Sequence, residues 1–539
     1  MRTSKKISLP SMRTIFFAAA AATAFFGNLV EAVDIFGINV SAQTSVASWP
    51  APLATPPASP SGSVGGNSST TKTNNATGLL VGAARVDITP AVNASWLPLN
   101  EYEHEKLYVR AIVFQSNGVT SAIIGSDLSN IEEIIYQDAA ARVSTLLNTS
   151  VENIILSSTH THGASPCGVG LFFTPQNYGY YQVPDAAVTA VKLALANLEP
   201  AWVGYNTGSA HSNANRDGVN PITGLWTEAV NLTAPVDREV EVLTFIRPSD
   251  KSPIASYTSY AMHPVMSYLT GYTSADWPGA MTRWIENSFG NGMVAIYSQQ
   301  ASGDVNPRWL RTTTNDILSQ RKANITNYET DHETIEVAVR NFTLPLGRAD
   351  PVYIRQVFDN IQALGIMVAE EVIRVMSETN EWQDSPTIWA KQQNVTCPGR
   401  KRLDNSIVNR AGRPGNYTTV GVAPVQIRTG ALGIGDIVLV TVGAEIYTKI
   451  GWKIKSLTPM NKTMLVTMSN GKAASGYIAD TESYSTHLTF EILGSNLVPG
   501  SCAEDGISGN ISALVTEYLQ YNATVKNRLF FERISNTWE

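Results

Sequence analysis

The chain has 539 residues, 43% hydrophobic and only 15% charged, with a formal net charge of −7 and a pI near 5.6. It is long enough to bury a large core, as one large domain or two to three smaller ones, and reads as a soluble globular protein with a surface rich in uncharged polar groups. The acidic balance, with no basic run, argues against a nucleic-acid partner.

Arg2, Lys5, Lys6 and Arg13 precede an apolar core from Ile15 to Phe26. This is the arrangement of a signal peptide and is too short to span a bilayer. Small residues permit cleavage after Ala32 or Ala42, with a retained anchor as the alternative. From Ser41 to about Gly78 the chain is Ser, Thr, Pro, Gly and Ala with almost no large apolar residue, too little to order itself. The expected organisation is a signal peptide over 1–32, a flexible leader over 33–78 and one folded domain over 79–539. Sequons at Asn75, Asn93, Asn231, Asn341, Asn394, Asn461 and Asn522 agree with secretion as a glycoprotein, although chance produces some in so Asn/Thr-rich a chain. Of the three cysteines, Cys397 and Cys502 are the ordinary bridge; Cys167, close behind two histidines, is the one to weigh as a zinc thiolate, and it lacks a Cys-x-x-Cys partner.

Gly82 to Pro90 reads as a strand ending in a turn. Strand patterns follow at Tyr108 to Gln115, Ala122 to Gly125, Asn153 to Ser157, Glu241 to Ile246, Ile254 to Ala261, Met293 to Ser298, Asp436 to Val442 and Met464 to Met468. Helical spacing occupies Ile131 to Leu147, Asp185 to Leu198, Ala280 to Phe289, Val352 to Met376 and Ile446 to Ser456. Interleaved strands and helices predict an α/β fold with largely parallel or mixed β-sheets flanked by helices.

The informative feature is where polar residues fall. Apolar strands end at Asp127, His160, His263, Asp304 and Glu445. In open α/β sheets the carboxyl ends of strands line the ligand crevice, so these groups are expected at one edge. Residues two apart on an extended segment point the same way, which would present His160 and His162 to one space. Each histidine alone could be an ordinary hydrogen-bonded residue. Together His160, His263 and Glu445 are the donor types of a catalytic zinc.

The motifs resemble those of the neutral/alkaline non-lysosomal ceramidase family. Thr159-His160-Thr161-His162 is similar to its THTH, Gly82 to Pro90 to its G-x-x-R-x-D-I-T, and Asn215-Arg216 to the start of its N-R-S-P, with Asp217 and Gly218 in the last two places. Met262-His263-Pro264 with Ser274 to Gly279 resembles the second histidine and its acidic loop. Gly303-Asp304-Val305-Asn306-Pro307 resembles G-D-V-S-P, Gly443-Ala444-Glu445 resembles P-G-E, and Gly476 to Tyr484 resembles G-Y-V-T-T-x-E-E-Y. Seven motifs in one order make the resemblance specific. It implies a ceramidase-like catalytic domain with zinc on His160, His263, Glu445 and Tyr477. His162, Arg216 and Tyr484 would polarise substrate and handle protons.

The implied reaction is hydrolysis of the N-acyl amide of ceramide or another lipid-like amide, with peripheral membrane contact as a corollary. Two departures stand out. Asn306 replaces the family's serine, and the stretch from Tyr484 to Glu539 is too short for the β-sandwich that follows the catalytic domain in many relatives. These leave hydrolysis of a different amide or ester, or a metal-binding protein without turnover, as alternatives. His104, His211, His332 and His487 fit no ligand pattern and read as surface or structural.

Overall fold

The computed structural model describes residues 78–89, 106–164, 178–267, 273–308, 351–404, 412 and 414–536. The predicted signal peptide and all of the predicted leader but Gly78, together with His104, Cys167, His332 and the sequons at Asn75, Asn93 and Asn341, lie outside these residues.

The chain first builds β1 (Leu80–Asp87), β2 (Tyr108–Ser116), β3 (Val119–Ser126), α1 (Glu133–Leu147), β4 (Ile154–Ser158), α2 (Tyr178–Ala196) and the short β5 (Glu199–Pro200). These strands form one sheet in the order β4-β3-β2-β1-β5, antiparallel except for β3 beside β4. Next come β6 (Trp202–Ser209), β7 (Asn213–Val219), β8 (Trp226–Asn231), β9 (Glu239–Ile246), β10 (Pro253–Tyr260), α3 (Asp276–Ser288), β11 (Val294–Gln299), β12 (Val305–Pro307) and α4 (Pro351–Glu378). They give a sheet β11-β10-β9-β6 and a small sheet β12-β7-β8.

The last part holds β13 (Ile388–Cys397), β14 (Lys401–Arg402), β15 (Tyr417–Thr418), β16 (Val425–Ile434), β17 (Ile437–Val442), β18 (Glu445–Ile446), α5 (Thr448–Leu457), β19 (Thr463–Thr467), β20 (Tyr477–Ile478), α6 (Thr481–Thr486), α7 (Phe490–Gly494) and α8 (Cys502–Asn536). Its main sheet is β13-β16-β17-β19, with β18 and β20 paired in parallel beside it.

The three larger sheets turn their inner faces onto one shared core. Ile112, Phe114 and Ile123 from the first meet Leu243, Phe245 and Tyr257 from the second and Ile437, Leu439 and Val466 from the third. The alternate residues face outward under helices. Ala122 and Ile124 pack against α1 and α2, Ala295 and Tyr297 against α3 and α4, and Val438 and Val440 against α5 and α8. A strand covered on both faces is apolar over most of its length, so these strands read as largely hydrophobic runs, with buried hydroxyls such as Ser256 and Thr258 in β10 as the exceptions. The sheets are therefore mixed, with parallel pairs limited to β3/β4, β10/β11, β17/β19 and β18/β20 among the described residues.

The strands β7, β8 and β13 escape a hydrophobic-pattern reading. Asn213-Ala-Asn-Arg-Asp-Gly-Val carries almost no apolar side chain, and β13 exposes Gln393 and Asn394. Cys397 and Cys502 form the expected disulfide, Cα atoms 5.8 Å apart and 105 residues apart in sequence, tying α8 to β13. In the chain-entropy account, closing a loop of that size stabilises the fold by on the order of 4–5 kcal/mol.

One sequon is closed by the fold: Asn522 is buried and its amide donates to the Gly435 carbonyl. Asn231 is half-buried, its amide donating one hydrogen bond to the Asp217 carbonyl. Asn394 and Asn461 are exposed. No described helix is long and apolar enough to cross a membrane.

Candidate metal centre

The strands β4, β10 and β17 end just before His160, His263 and Glu445, and these three side chains meet. The Nε2 atoms of His160 and His263 are 3.1 Å apart, and Glu445 Oε2 lies 3.3 Å from one and 3.4 Å from the other. His162 joins them, its Nε2 3.4 Å from that of His160, with the three histidine donors all within 4.8 Å of one another.

The convergence of His160 and His162 has a different cause from strand alternation. β4 stops at Ser158, and His160 takes a left-handed backbone with φ 66°. A non-glycine residue there costs about 1–3 kcal/mol and persists only where the surroundings enforce it. Here His160 N–H donates to the Leu128 carbonyl and His162 N–H to the Pro264 carbonyl, joining the two histidine loops. Gly163 allows this closeness, since a Cβ on it would sit 2.3 Å from Ser267 Oγ. Gln299, buried at the end of β11, completes the clamp: its Nε2 donates to the Thr159 carbonyl at 3.2 Å and the Met262 carbonyl at 2.9 Å, the residues just before each histidine. Gln299 is absent from the residues singled out by sequence, because nothing in a lone Gln at a strand end distinguishes it.

The donor chemistry fits a cation. His160 Nδ1 donates to the Ser129 carbonyl and His263 Nδ1 to the Val305 carbonyl. A carbonyl only accepts, so each neutral ring carries its proton on Nδ1 and points a bare Nε2 lone pair inward. Glu445 Oε2 is buried there without a hydrogen-bond donor among the described residues. Lone pairs crowded this closely repel one another unless a positive ion lies between them. Tetrahedral zinc with ligand bonds of about 2.0–2.1 Å separates its donors by roughly 3.3 Å, which matches the spacing found.

Electrostatics agree with that reading. Burial and the nearby Arg216 charge push His263 down to about 4, and burial with His160 and His263 pushes His162 well below the usual histidine range, so both rings are neutral near pH 7. Burial alone would raise Glu445, but its neighbours His160 and His263 hold it well below the usual carboxylate value.

Tyr477 stands next to Glu445, its partner in the β18/β20 pairing, so both side chains leave the ribbon on one side. Burial and the Glu445 charge raise its hydroxyl well above the usual value, keeping it protonated. Arg216 forms a layer behind. It is buried, pairs with Glu491 at 2.7 Å, donates to the Gly303 carbonyl at 2.6 Å and to Asn306 Oδ1 at 3.3 Å, and lies between the rings of Tyr477 and Phe490. Asn306 also donates to Glu228 Oε1 at 2.6 Å. Tyr484 bonds Ser495 Oγ at 2.6 Å and reaches the Tyr477 carbonyl at 3.4 Å. Of the other strand-end acids, Asp304 accepts from Thr448 at the start of α5 and from Asn215, and Asp127 pairs with Arg110, so neither joins the centre.

Residues 80–339 match the family model described as neutral/alkaline non-lysosomal ceramidase, N-terminal. This stretch belongs to that family. It contains His160, His162, Arg216, His263 and Asn306, while Glu445, Tyr477 and Tyr484 come from the chain beyond it. Two solved structures share the fold. One, titled a ceramidase complexed with C2, is 14% identical with a TM-score of 0.60, the match covering 83% of this chain and 76% of that one. The other, neutral ceramidase from Pseudomonas aeruginosa, is 15% identical with a TM-score of 0.58, covering 82% and 75%. No curated protein sequence matches the chain. Within the ceramidase stretch the serine-to-asparagine departure has a physical reading: Asn306 is strapped between Glu228 and Arg216, holding the guanidinium in place.

Proposed function

We propose that this chain is a secreted zinc hydrolase that cleaves the N-acyl amide bond of ceramide or a related lipid amide. The observation that carries the reading is the meeting of His160, His162, His263 and Glu445, bare donors inward, in a chain whose residues 80–339 match the ceramidase family. The residues that would hold the ion are His160 and His263 with Glu445 and Tyr477, and His162 stands at the same spacing. A zinc ion bound there supplies Lewis acidity toward a carbonyl and brings the pKa of water to about 7.

The chain's own groups do the rest. Neutral His162 accepts a proton from the attacking water and can return it to the amine that leaves, as a general base and then a general acid. Arg216 stays charged, because Glu491 and Tyr477 outweigh the effect of burial, and holds the Tyr477 ring and the Asn306 side chain in register.

Asn306 favours a second reading, hydrolysis of a different amide or ester, because the family's hydroxyl is replaced by an amide whose two ends are already engaged. Metal analysis of the purified chain together with fatty-acid release from a labelled ceramide decides between them. Stoichiometric zinc with ceramide turnover supports the first reading. Zinc with turnover only of other amides or esters replaces it with the second, and a chain without bound metal rejects both.

A further inference from the structure

The strand that leads into His160, β4, is the edge of its sheet, with β3 on one side, and every one of its residues is buried. A buried edge leaves backbone N–H and C=O groups that water does not reach, and these need partners from elsewhere in the chain. The partners come from the segment just past β19. Ser158 N–H donates to the Met468 carbonyl at 3.1 Å, and Asn470 N–H to the Leu156 carbonyl at 2.8 Å. Leu156 N–H donates to a side chain, Asn470 Oδ1, at 2.9 Å. Met468 and Asn470 both have left-handed backbones, with φ 49° and 57°. The segment therefore touches β4 and turns away at once, and the buried Asn470 carboxamide stands where a strand carbonyl would. Asparagine is among the side chains that tolerate this φ best.

The same segment lies against the approach to Glu445. Ser469 N–H donates to the Val442 carbonyl at 3.5 Å and Ala473 N–H to the Gly443 carbonyl at 2.7 Å. Contact is closest at Gly443, where a Cβ would sit 2.6 Å from the Gly471 carbonyl oxygen and 3.2 Å from that of Ser469. On its outer side, Arg428 donates to the Asn470 carbonyl and pairs with Glu133 of α1 at 2.8 and 2.6 Å.

We propose that Asn470 is a positioning residue for the metal centre, fixing the strand that carries His160 against the segment that carries Glu445. The inference rests on the metal reading above and deepens it by naming what holds donors from two different sheets in register. His160 follows the first sheet and Glu445 the third, yet His160 Nε2 and Glu445 Oε2 lie 3.3 Å apart. Hydrogen bonds within either sheet leave that separation undetermined. Gln299 ties the two histidine loops to each other, and Asn470 ties in the carboxylate. Zinc holds its ligands within about 0.2 Å of bond lengths near 2.0–2.2 Å, so a shift of β4 by roughly half an ångström registers at the ion while the strand stays paired.

The test uses the full chain, with zinc competed against a chelator and cobalt(II) absorption as a probe of donor geometry. Asn470→Gly keeps the left-handed backbone and removes the acceptor oxygen; Asn470→Asp keeps an acceptor there. Zinc affinity should fall by roughly 10–100-fold for Asn470→Gly, with a shifted cobalt spectrum, and Asn470→Asp should restore both. A purely structural role lowers the melting temperature of the metal-free chain and leaves the affinity and spectrum of the folded protein unchanged. That outcome overturns the inference, as does an Asn470→Asp variant as weak as Asn470→Gly. Should Asn470→Gly fail to fold, Gly443→Ala presses on the same segment from the Glu445 side and should shift the spectrum; a folded Gly443→Ala variant with wild-type spectrum and affinity overturns the inference too. A wild-type chain that binds neither zinc nor cobalt rejects the metal reading itself, whereas wild-type binding with indifferent variants rejects the role of Asn470 alone.

Discussion

Two buried polar clusters in this protein solve the same electrostatic problem in opposite ways. Around Lys455 on α5, the carboxylates of Asp237, Glu239 and Glu241 approach the ammonium at 3.0, 2.7 and 2.9 Å. There the chain supplies its own counter-ion. At the end of β4, β10 and β17, two bare imidazole nitrogens and a carboxylate oxygen crowd one point, and no lysine or arginine among the described residues pairs with them; the neighbouring guanidinium, Arg216, is engaged by Glu491, Gly303 and Asn306. The first cluster is thus neutralised from within the chain, whereas the second has the donor set of a metal site.

The sharpest way to break this comparison is His263→Ala. It should bring bound zinc to background, read by elemental analysis, and lower kcat/KM for amide hydrolysis by at least about a thousandfold. Full activity in metal-depleted variant protein would show that the crowded donors serve no ion. Next, Lys455→Met removes the internal counter-ion and leaves buried carboxylates uncompensated, a loss of about 3–5 kcal/mol. Thermal unfolding should drop by on the order of 10 °C while zinc per folded molecule stays the same. Equal damage to both readouts would mean the clusters are not separable.

Gln299→Leu sharpens the comparison from the other side. Without the amide that bridges Thr159 and Met262, the two histidine loops lose their common donor, and zinc affinity measured by competition with a chelator should weaken by roughly 10–100-fold. An unchanged affinity would place the control of histidine geometry elsewhere, in the His162 to Pro264 backbone bond for example.

The smallest effect concerns pH. Burial pushes the Glu241 carboxyl up to about 7, with Lys455 pulling the other way. Because the folded value lies above the unfolded one, near 4.5, the neutral form is favoured in the fold, and this contribution is present below pH 4.5 and lost as pH rises through 7. Glu241→Gln removes the titration, so its melting temperature relative to wild type should rise by a few degrees between about pH 4.5 and 8. A flat difference would show that Lys455 neutralises the carboxylate completely.

Much of the fold is legible in the chain of residues because strands buried on both faces are apolar over most of their length, and helices over them must repeat at three to four residues. β3, β4, β17 and α1 follow from that rule, and the disulfide joins the two cysteines that lie away from the histidine pair. The rule fails where polar strands are held by pairing and side-chain bonds. Asn213 in β7, for instance, donates to the Asp237 and Ala261 carbonyls, a reward that no hydropathy pattern records.

By itself, then, the sequence determined the identity of the donors, the strands that end beside them and the family to which the motifs point. Only the tertiary structure decided that His160 turns through a left-handed backbone to reach the centre, that Arg216 is held by Glu491 and Asn306, that Gln299 ties the histidine loops together, and that the Asn522 amide is sealed in a core. The physical reason is range. Propensity and periodicity are local and are written into neighbouring residues. Which lone pair meets which proton depends on segments separated in the chain, as far as His160 from Glu445, that come into contact only after the three sheets have closed on their common core.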